Sequence, residues 1–203
     1  MQQIIVSASH LKAALQAAAK RDVRWYLNSV FIQATATETR VVATDGHMLI
    51  ALRQQADNKV AGLVEFIIPR DVLDRIKPTK KELGAATYTI DVPGTGPYAL
   101  RLPNGVEYFA PVDGRYPDYV RVIPSEVSGK AGNYNPELLG RAQAAADIVT
   151  GKSAHLCLQQ NGAEGAALAT CAAPGFVAVV MPIRPPKDYA PPATAWARER
   201  IAA

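Results

Sequence analysis

The hydrophobic positions of this chain follow two periods, one typical of strands and one typical of helices. Residues 3–7 favour a strand because apolar and β-branched side chains dominate them. Residues 9–21 predict a helix, since Leu11, Leu15 and Ala18 fall on one helical face. The same patterns predict strands at residues 26–34, 40–44, 47–53 and 64–68.

The remainder of the chain continues in the same order. Residues 69–77 predict a short helix that Pro78 ends, because proline lacks the amide hydrogen that a helix requires. Residues 124–134 are polar and contain glycine, which predicts a linker. Asn135 then caps a helix that should reach about Ile148. Further strands are predicted at residues 87–92, 98–102, 107–110, 153–160, 165–172 and 176–183.

Strand, helix and further strands thus occur three times, at a spacing of about 60 residues. Each unit has a helix with one apolar face and strands against which that face can be buried. We therefore expect an α+β fold. The last segment, residues 185–203, contains two proline pairs and predicts an extended tail with a short helix around residues 195–201.

Composition and charge suggest a globular protein with a basic N-terminal part. The hydrophobic share, 49%, is enough for a sizeable core. Lysine and arginine number 22 against 18 acidic residues, and residues 1–81 hold 12 basic against 7 acidic side chains. A basic region attracts phosphate, although ordinary scatter of surface charge is the alternative interpretation.

The chain has the features of a cytoplasmic protein. Cys157 and Cys171 are too few for a disulfide scaffold and lack the spacing of a zinc site. The first residues do not have the pattern of a signal peptide. No apolar run reaches the roughly 20 residues that span a bilayer. We expect reduced thiols and a cytoplasmic location.

The polar residues give little support for catalysis. Asp45 and His47 lie two apart on a predicted strand without a nucleophile beside them. His10, His47 and His155 are dispersed and lack metal-ligand spacing, and no phosphate loop or dinucleotide fingerprint occurs. We expect a protein that is not an enzyme and needs no cofactor, with Asp45 shaping a turn. A hydrolytic enzyme is the alternative.

Three separated motifs carry the most specific information. They are VATDGH at 42–47, GRYPDYVRVIP at 114–124 and VVMPIR at 179–184. In this order, with RWYLN at 24–28 upstream, they resemble the bacterial DNA polymerase III beta sliding clamp family. The resemblance implies a DNA-clamp-like fold in which helices line a ring around DNA and a surface pocket holds partner peptides.

The resemblance covers only part of a clamp. Residues 1–124 look like the complete middle domain, and residues 125–184 look like the second half of the last domain. Residues 185–203 have no counterpart. The chain is thus identified as a truncated or divergent member of the family, of a kind that a phage or plasmid could carry.

The resemblance also implies a peptide pocket built from both ends of the chain. Its apolar members would hold leucine and phenylalanine side chains of a partner, and its arginines would orient the segment. Met48 replaces the basic residue that usually follows this histidine in the family. Burial in an ordinary core is the alternative for these side chains. The matching positions are Leu27, Thr44, Gly46, His47, Leu49, Pro117, Arg121, Val122, Val179, Val180, Met181, Pro182, Ile183 and Arg184.

Clamps hold the DNA backbone without reading bases, so basic side chains on the first two helices are the candidate contacts to double-stranded DNA. The aromatic side chains next to Arg24 could stack on bases. Arg141 on the last helix is expected to pack against a neighbouring element instead. The candidate DNA-binding residues are Lys12, Lys20, Arg21, Arg24, Trp25, Tyr26, Arg70, Arg75, Lys77, Lys80 and Lys81.

The resemblance therefore implies a processivity factor that tethers DNA polymerase or other replication proteins. Three helical units per chain would fill a twelve-unit ring with four chains, so a homo-oligomer is expected. The alternative is a non-encircling module that captures clamp-binding peptides or competes with a host clamp.

Overall fold

The described part of the chain contains four α-helices and eleven strands. The computed structural model describes residues 1–190, Thr194 and Ala197, so the helix predicted around residues 195–201 lies outside the described residues. The helices are α1 (Ala8–Ala14), α2 (Arg70–Arg75), α3 (Lys80–Ala85) and α4 (Pro136–Thr150). The strands are β1 (Gln2–Ser7), β2 (Ser29–Ala34), β3 (Glu38–Thr44), β4 (Met48–Gln55), β5 (Val64–Pro69), β6 (Thr87–Val92), β7 (Tyr98–Leu102), β8 (Gly105–Phe109), β9 (Cys157–Gln159), β10 (Ala167–Thr170) and β11 (Phe176–Val180).

The strands form two antiparallel sheets, and the larger one joins strands from the N-terminal half of the chain to the three last strands. The smaller sheet has the order β1-β6-β7-β8, and the larger has the order β5-β2-β3-β4-β11-β10-β9. Strand β11 pairs with β4 so that Val180 lies opposite Met48 and Phe176 lies opposite Leu52. The C-terminal unit thereby covers the edge that β4 would otherwise expose. The predicted α+β class is confirmed.

The helices pack on one face of the sheets, where most of the core lies. Helix α1 contacts α4, and small side chains such as Ala142 and Ala145 are fully buried there, which lets the helices approach closely. The Nε atom of Arg141 donates to the carbonyl of Gln16 at 2.6 Å, and its Nη1 atom pairs with Asp45 Oδ2 at 2.7 Å. The packing role expected for Arg141 is confirmed.

The best-predicted helix is α4, and the helix that was missed is α3. Asn135 accepts a hydrogen bond from the amide of Glu137 at 2.9 Å, and Gly151 ends the helix with φ at 70°. In α3, Thr79 and Glu82 form a reciprocal capping box. This Thr-x-x-Glu spacing is readable in the sequence and could have identified α3.

Helix α1 is shorter than predicted, because it ends at Ala14 instead of residue 21. Beyond it, the chain continues in tight turns, and Gln16 N donates to Ala13 O at 3.0 Å. The Arg70 guanidinium donates to the carbonyls of three residues in this stretch, so a distant side chain satisfies groups that a longer helix would have paired internally.

Within the part of the chain that the structure describes, no helix combines the length and the apolar character that crossing a bilayer would demand.

Burial of His10 on α1 is expected to make the fold sensitive to acid. Desolvation lowers the pKa of His10 to about 4, and within the described residues its Nδ1 atom has no hydrogen-bond partner. The unfolded chain, with an ordinary histidine pKa near 6.5, binds the proton more readily. The unfolding free energy is therefore highest above pH 6.5, where His10 is neutral in both states, and it decreases as the pH falls towards 4. Between pH 7.5 and 4.5 we expect a loss of about 2.5 kcal/mol in unfolding free energy.

Urea unfolding of the wild type and of His10→Leu at both pH values measures this loss. The variant should lack that part of the pH dependence, whereas His155→Gln, a change at an exposed histidine, should retain it. Equal pH dependence in the wild type and His10→Leu would contradict the assignment.

Candidate functional site

Residues that are far apart in the sequence meet at the turn between β3 and β4. The amide of Met181, just after β11, donates to the carbonyl of His47 at 2.9 Å. A cleft of about 180 Å³ opens beside this contact. The strand that carries the last sequence motif therefore lies directly against the turn that carries the first.

Side-chain hydrogen bonds fix the shape of this turn. Asp45 Oδ1 accepts from the amides of His47 and Met48, each at 2.9 Å. Thr44 Oγ1 donates to the carbonyl of Met48 at 2.7 Å and accepts from the amide of Gly46 at 3.0 Å. The predicted role of Asp45 in shaping the turn is confirmed.

Gly46 is required by its backbone conformation and by its neighbour. Its φ angle is 89°, and a Cβ atom there would lie 3.2 Å from Arg24 Nη2.

Gly46→Ala is expected to lower the unfolding free energy by about 1–2 kcal/mol and to weaken ligand binding in the cleft. Gly62→Ala is the matched control, since Gly62 has φ at 91° with nothing nearby. Urea unfolding should show a similar loss in both, and equal binding by both would contradict a role for the turn in the cleft.

The floor of the cleft is apolar and its rim is polar. Leu49 and Val179 are each 2% exposed and belong to a buried cluster on the outer face of the larger sheet. Behind them the rings of Phe31 and Tyr116 stack at 4.7 Å. The lining residues are Arg24, Tyr26, Leu27, Thr44, Gly46, His47, Met48, Leu49, Pro117, Asp118, Tyr119, Val122, Val179 and Met181.

The segment 111–123 crosses the sheet and forms one wall of the cleft. The Tyr116 hydroxyl accepts from the amide of Thr44 at 3.1 Å, and burial raises the pKa of Tyr116, so it stays neutral. The Tyr119 hydroxyl donates to Gln33 Oε1 at 2.6 Å. Both contacts anchor the wall to the strands.

The structure brings most of the predicted pocket residues together, but not all of them. Val180 is fully buried on the opposite face of β11, because neighbouring side chains of a strand point to opposite faces. Its assignment to the pocket was wrong for that reason. Arg184 pairs with Glu164 at 3.0 Å, and Ile183 N donates to Asn133 O at 2.7 Å. The predicted positions that lie beside the cleft without lining it are Arg121, Pro182, Ile183 and Arg184.

Two residues that were predicted to contact DNA also line the cleft. Arg24 and Tyr26 both border it. The Trp25 ring packs against Gly114 so closely that a Cβ atom at this glycine would lie 3.0 Å from the ring. Asp22 binds Arg24 at 2.8 Å, and this guanidinium lowers the pKa of Asp22 to about 2, so the pair stays charged at neutral pH. Trp25 is 50% exposed and Tyr26 is partly exposed, so base stacking by these two rings stays a prediction.

Met48, noted in the sequence as a departure from the family, also lines the cleft and is 2% exposed. The lining residues that were missed, Asp118 and Tyr119, come from the wall segment. The signal was present for these two, because both lie in the motif that supplied Pro117 and Val122.

The remaining basic candidates differ in how freely they face solvent. Arg70 has a 16% exposed side chain that binds Asp74 and the carbonyls that follow α1, so its assignment to DNA is corrected to a structural role. Arg75 pairs with Asp71 and Glu107. Lys12 is half-buried, and the exposed candidates are Lys20, Arg21, Lys77, Lys80 and Lys81.

Comparison with known proteins points to one family. No protein-family model matches the chain. The beta sliding clamp of Haemophilus influenzae is 33% identical over 151 residues, which is 70% of this chain and 39% of that protein. The beta sliding clamp of Caulobacter vibrioides is 31% identical over 111 residues, 52% of this chain and 29% of that protein. The chain therefore spans about two fifths or less of these curated relatives.

Solved structures show the same fold. The DNA polymerase III beta subunit of Thermotoga maritima matches 92% of this chain and 66% of its own, with a TM-score of 0.68 and 18% identity. The DNA polymerase III subunit beta of Pseudomonas aeruginosa matches 91% of this chain and 67% of its own, with a TM-score of 0.61 and 19% identity. The predicted clamp-like fold is confirmed, and by sequence and fold together this chain is a divergent relative of the bacterial beta sliding clamps.

Proposed function

We propose that this chain is a sliding-clamp-like processivity factor that tethers DNA polymerase or other replication proteins in the cytoplasm. The hydrogen bond between Met181 and His47 carries the proposal, since it closes a cleft from sequence motifs about 130 residues apart. The relatives named as beta sliding clamps support the same role. The ligand is a short peptide segment of a partner.

The chemistry of the cleft suits such a segment. Leu49, Val179 and Met181 offer an apolar surface, while Arg24 and His47 can fix the orientation of a bound backbone. The cleft of about 180 Å³ is below the roughly 300–1,000 Å³ of sites that enclose a whole small molecule. One or two leucine or phenylalanine side chains of a longer segment fit this size.

The residues that first suggested catalysis support binding instead. The Asp45 carboxylate accepts two backbone amides at one oxygen and the Arg141 guanidinium at the other. A carboxylate whose two oxygens already accept hydrogen bonds is a poor general base. Its role is to connect α4 to the turn between β3 and β4. We infer that the protein has no catalytic role.

Contact with DNA rests on exposed basic side chains near the helices. Lys20 and Arg21 follow α1, and Lys80 and Lys81 begin α3. Binding through these residues is non-specific and weakens steeply with salt. With four chains completing a twelve-unit ring, the contacts would surround the duplex.

A non-encircling, peptide-capturing module is the second candidate. Arg70 and Arg141 form hydrogen bonds and ion pairs within the chain, which leaves fewer basic side chains near the helices for contact with DNA. Retention on circular and linearised DNA distinguishes the two. An encircling clamp is lost from free ends, whereas a peptide-capturing module behaves alike on both.

Fluorescence anisotropy with a labelled peptide that contains Gln-Leu-Phe tests the binding function. We expect a Kd below about 100 μM, a generous limit for a weak peptide site. Absence of binding at that concentration would overturn the proposal.

A further inference from the structure

Each of the two sheets has two outer strands, and the chain covers some of these edges itself. The edges are β1 and β8 in the smaller sheet and β5 and β9 in the larger. Along β1, the backbone groups of Gln3 and Lys59 exchange hydrogen bonds of 3.1 and 2.8 Å, and Asn58 Oδ1 accepts from the amide of Ile5 at 2.7 Å. The edge of β1 is therefore already paired with the chain's own residues.

The chain also approaches the two edges of the larger sheet. Val112 N donates to Ile67 O of β5 at 3.0 Å, and Gly129 N donates to Gln160 O, just after β9, at 3.0 Å. Strand β9 is moreover only three residues long. Within residues 1–190, β8 is the one sheet edge that no other segment of the chain covers with a backbone contact.

The open side of β8 carries free backbone groups. Residues 103–104 form a two-residue loop between β7 and β8, so Leu102 and Gly105 are the hydrogen-bonded pair that closes this hairpin. Hydrogen-bonded and non-hydrogen-bonded pairs alternate along antiparallel strands, so the amide and carbonyl groups of Val106 and Tyr108 point away from β7. In the described part of the chain, no other residue binds these groups.

The side chains of β8 also lack the features that protect a strand edge in a monomer. Val106 is 38% exposed and Tyr108 is 65% exposed on the face that points away from the core. The strand contains no lysine or proline, and its single charged residue, Glu107, lies on the other face and pairs with Arg75 at 3.1 Å. An uncovered apolar edge of this kind is suited to pairing with another strand.

We propose that β8 pairs antiparallel with β8 of a second copy of this chain, around a two-fold axis at Glu107. Val106 of one protomer then lies opposite the partner's Tyr108, and the reverse pair forms by symmetry. These are the residues with free backbone groups, so both pairs are hydrogen-bonded. A β-branched side chain opposite an aromatic one is also a favourable cross-strand pair.

The strand is complementary to itself in this register. The two Glu107 carboxylates face each other at the axis, and each keeps its own Arg75 as a counter-charge, which offsets their repulsion. Both open edges are satisfied at once, so the contact closes at two copies and joins the two smaller sheets into one. The surface lies apart from the cleft and does not depend on the function proposed for it.

Sedimentation velocity of the full chain between about 5 and 500 μM, without DNA, tests for the pair. We expect a reversible dimer, since a single strand edge is a small interface. Val106→Lys places a charge on the apolar edge and should raise the dimer dissociation constant about tenfold or more. The matched control is Val23→Lys, which adds the same charge at a 95% exposed valine outside β8 and should change the constant by less than about twofold.

Two results of this experiment would overturn the proposal. A wild-type chain that stays monomeric over this range has no such contact, and equal dimerisation by Val106→Lys and Val23→Lys places the contact elsewhere. Urea unfolding separates a lost contact from a damaged fold, and we expect the same midpoint for both variants. The Gln-Leu-Phe peptide should bind Val106→Lys as tightly as the wild type, so failure of either proposal leaves the other standing.

Cross-linking tests the register. In the proposed pair the two Glu107 residues face each other at a non-hydrogen-bonded position, where Cβ atoms lie about 4.5–5.5 Å apart. This separation is close to that of disulfides, so Glu107→Cys, in a chain with Cys157→Ser and Cys171→Ser, should oxidise to a disulfide-linked dimer. Val23→Cys in the same background is the matched control and should remain monomeric. Cross-linking of Glu107→Cys no faster than that of Val23→Cys would contradict the two-fold pairing and overturn the proposal.

Discussion

Met181→Asp is expected to abolish binding of the Gln-Leu-Phe peptide by the cleft. The side chain of Met181 is 40% exposed in the free protein and borders the cleft, so a bound peptide would cover it. An aspartate there would become an unpaired charge under an apolar ligand. We expect a loss of about 3 kcal/mol in binding free energy, or roughly 150-fold in Kd, measured by fluorescence anisotropy.

Two variants isolate this effect. Met181→Leu keeps an apolar side chain of similar size and should change the Kd by less than about tenfold. Ile183→Asp introduces the same charge two residues later, at a 47% exposed position outside the cleft lining, and should leave binding intact. Equal losses for Met181→Asp and Ile183→Asp would mean that the peptide lies elsewhere.

Asp45→Ala is expected to cause the largest loss of stability where α4 meets the turn between β3 and β4. The Asp45 side chain is 13% exposed and that of its partner Arg141 is 25% exposed. Removing the carboxylate leaves a largely buried guanidinium without its counter-charge and also deletes two hydrogen bonds of the turn. Urea unfolding should show a loss of about 3 kcal/mol.

Matched substitutions separate the two contributions of Asp45. Asp45→Asn retains an oxygen that can accept the turn amides and should cost roughly 1.5 kcal/mol, mainly from the ion pair. Glu164→Ala breaks the pair with Arg184, whose side chains are 78% and 77% exposed, and should cost less than about 0.5 kcal/mol. Similar losses for Asp45→Ala and Glu164→Ala would contradict the structural role of the Asp45–Arg141 pair.

Local sequence signals predicted the elements whose ends are fixed by local chemistry. Helix α4 follows its cap and its terminal glycine, and strands β6 and β7 have the predicted bounds. The excess length predicted for α1 has a different origin. Three carbonyls beyond Ala14 accept from Arg70, which lies more than 50 residues away in the chain, and that of Gln16 accepts from Arg141. A local pattern carries no information about such a partner.

In the candidate site, too, features set by local sequence were predicted and features set by distant packing were not. The motifs identified the turn and the floor, because a required glycine and an apolar strand are local features. Val180 was misplaced since a motif match does not specify which face of β11 each residue occupies. That Arg24 also borders the cleft could not be predicted, because its approach to Gly46 depends on how distant loops pack.

The cleft exists because β11 pairs with β4 and extends the larger sheet. The pairing of β4 with β11 sets Leu49 beside Val179 on the same face, and the buried Phe31 and Tyr116 rings support them from behind. The proposed peptide site thus depends on a contact that also stabilises the fold.

A methyl-resolved NMR titration with the Gln-Leu-Phe peptide tests whether the cleft is the peptide-binding site. We predict that the methyl signals of Leu49, Val179 and Met181 shift together and saturate with one Kd, while the buried methyls of Val180 and Ile90 move little. Saturating binding that leaves the first three signals unmoved, or a complete absence of binding, would contradict it.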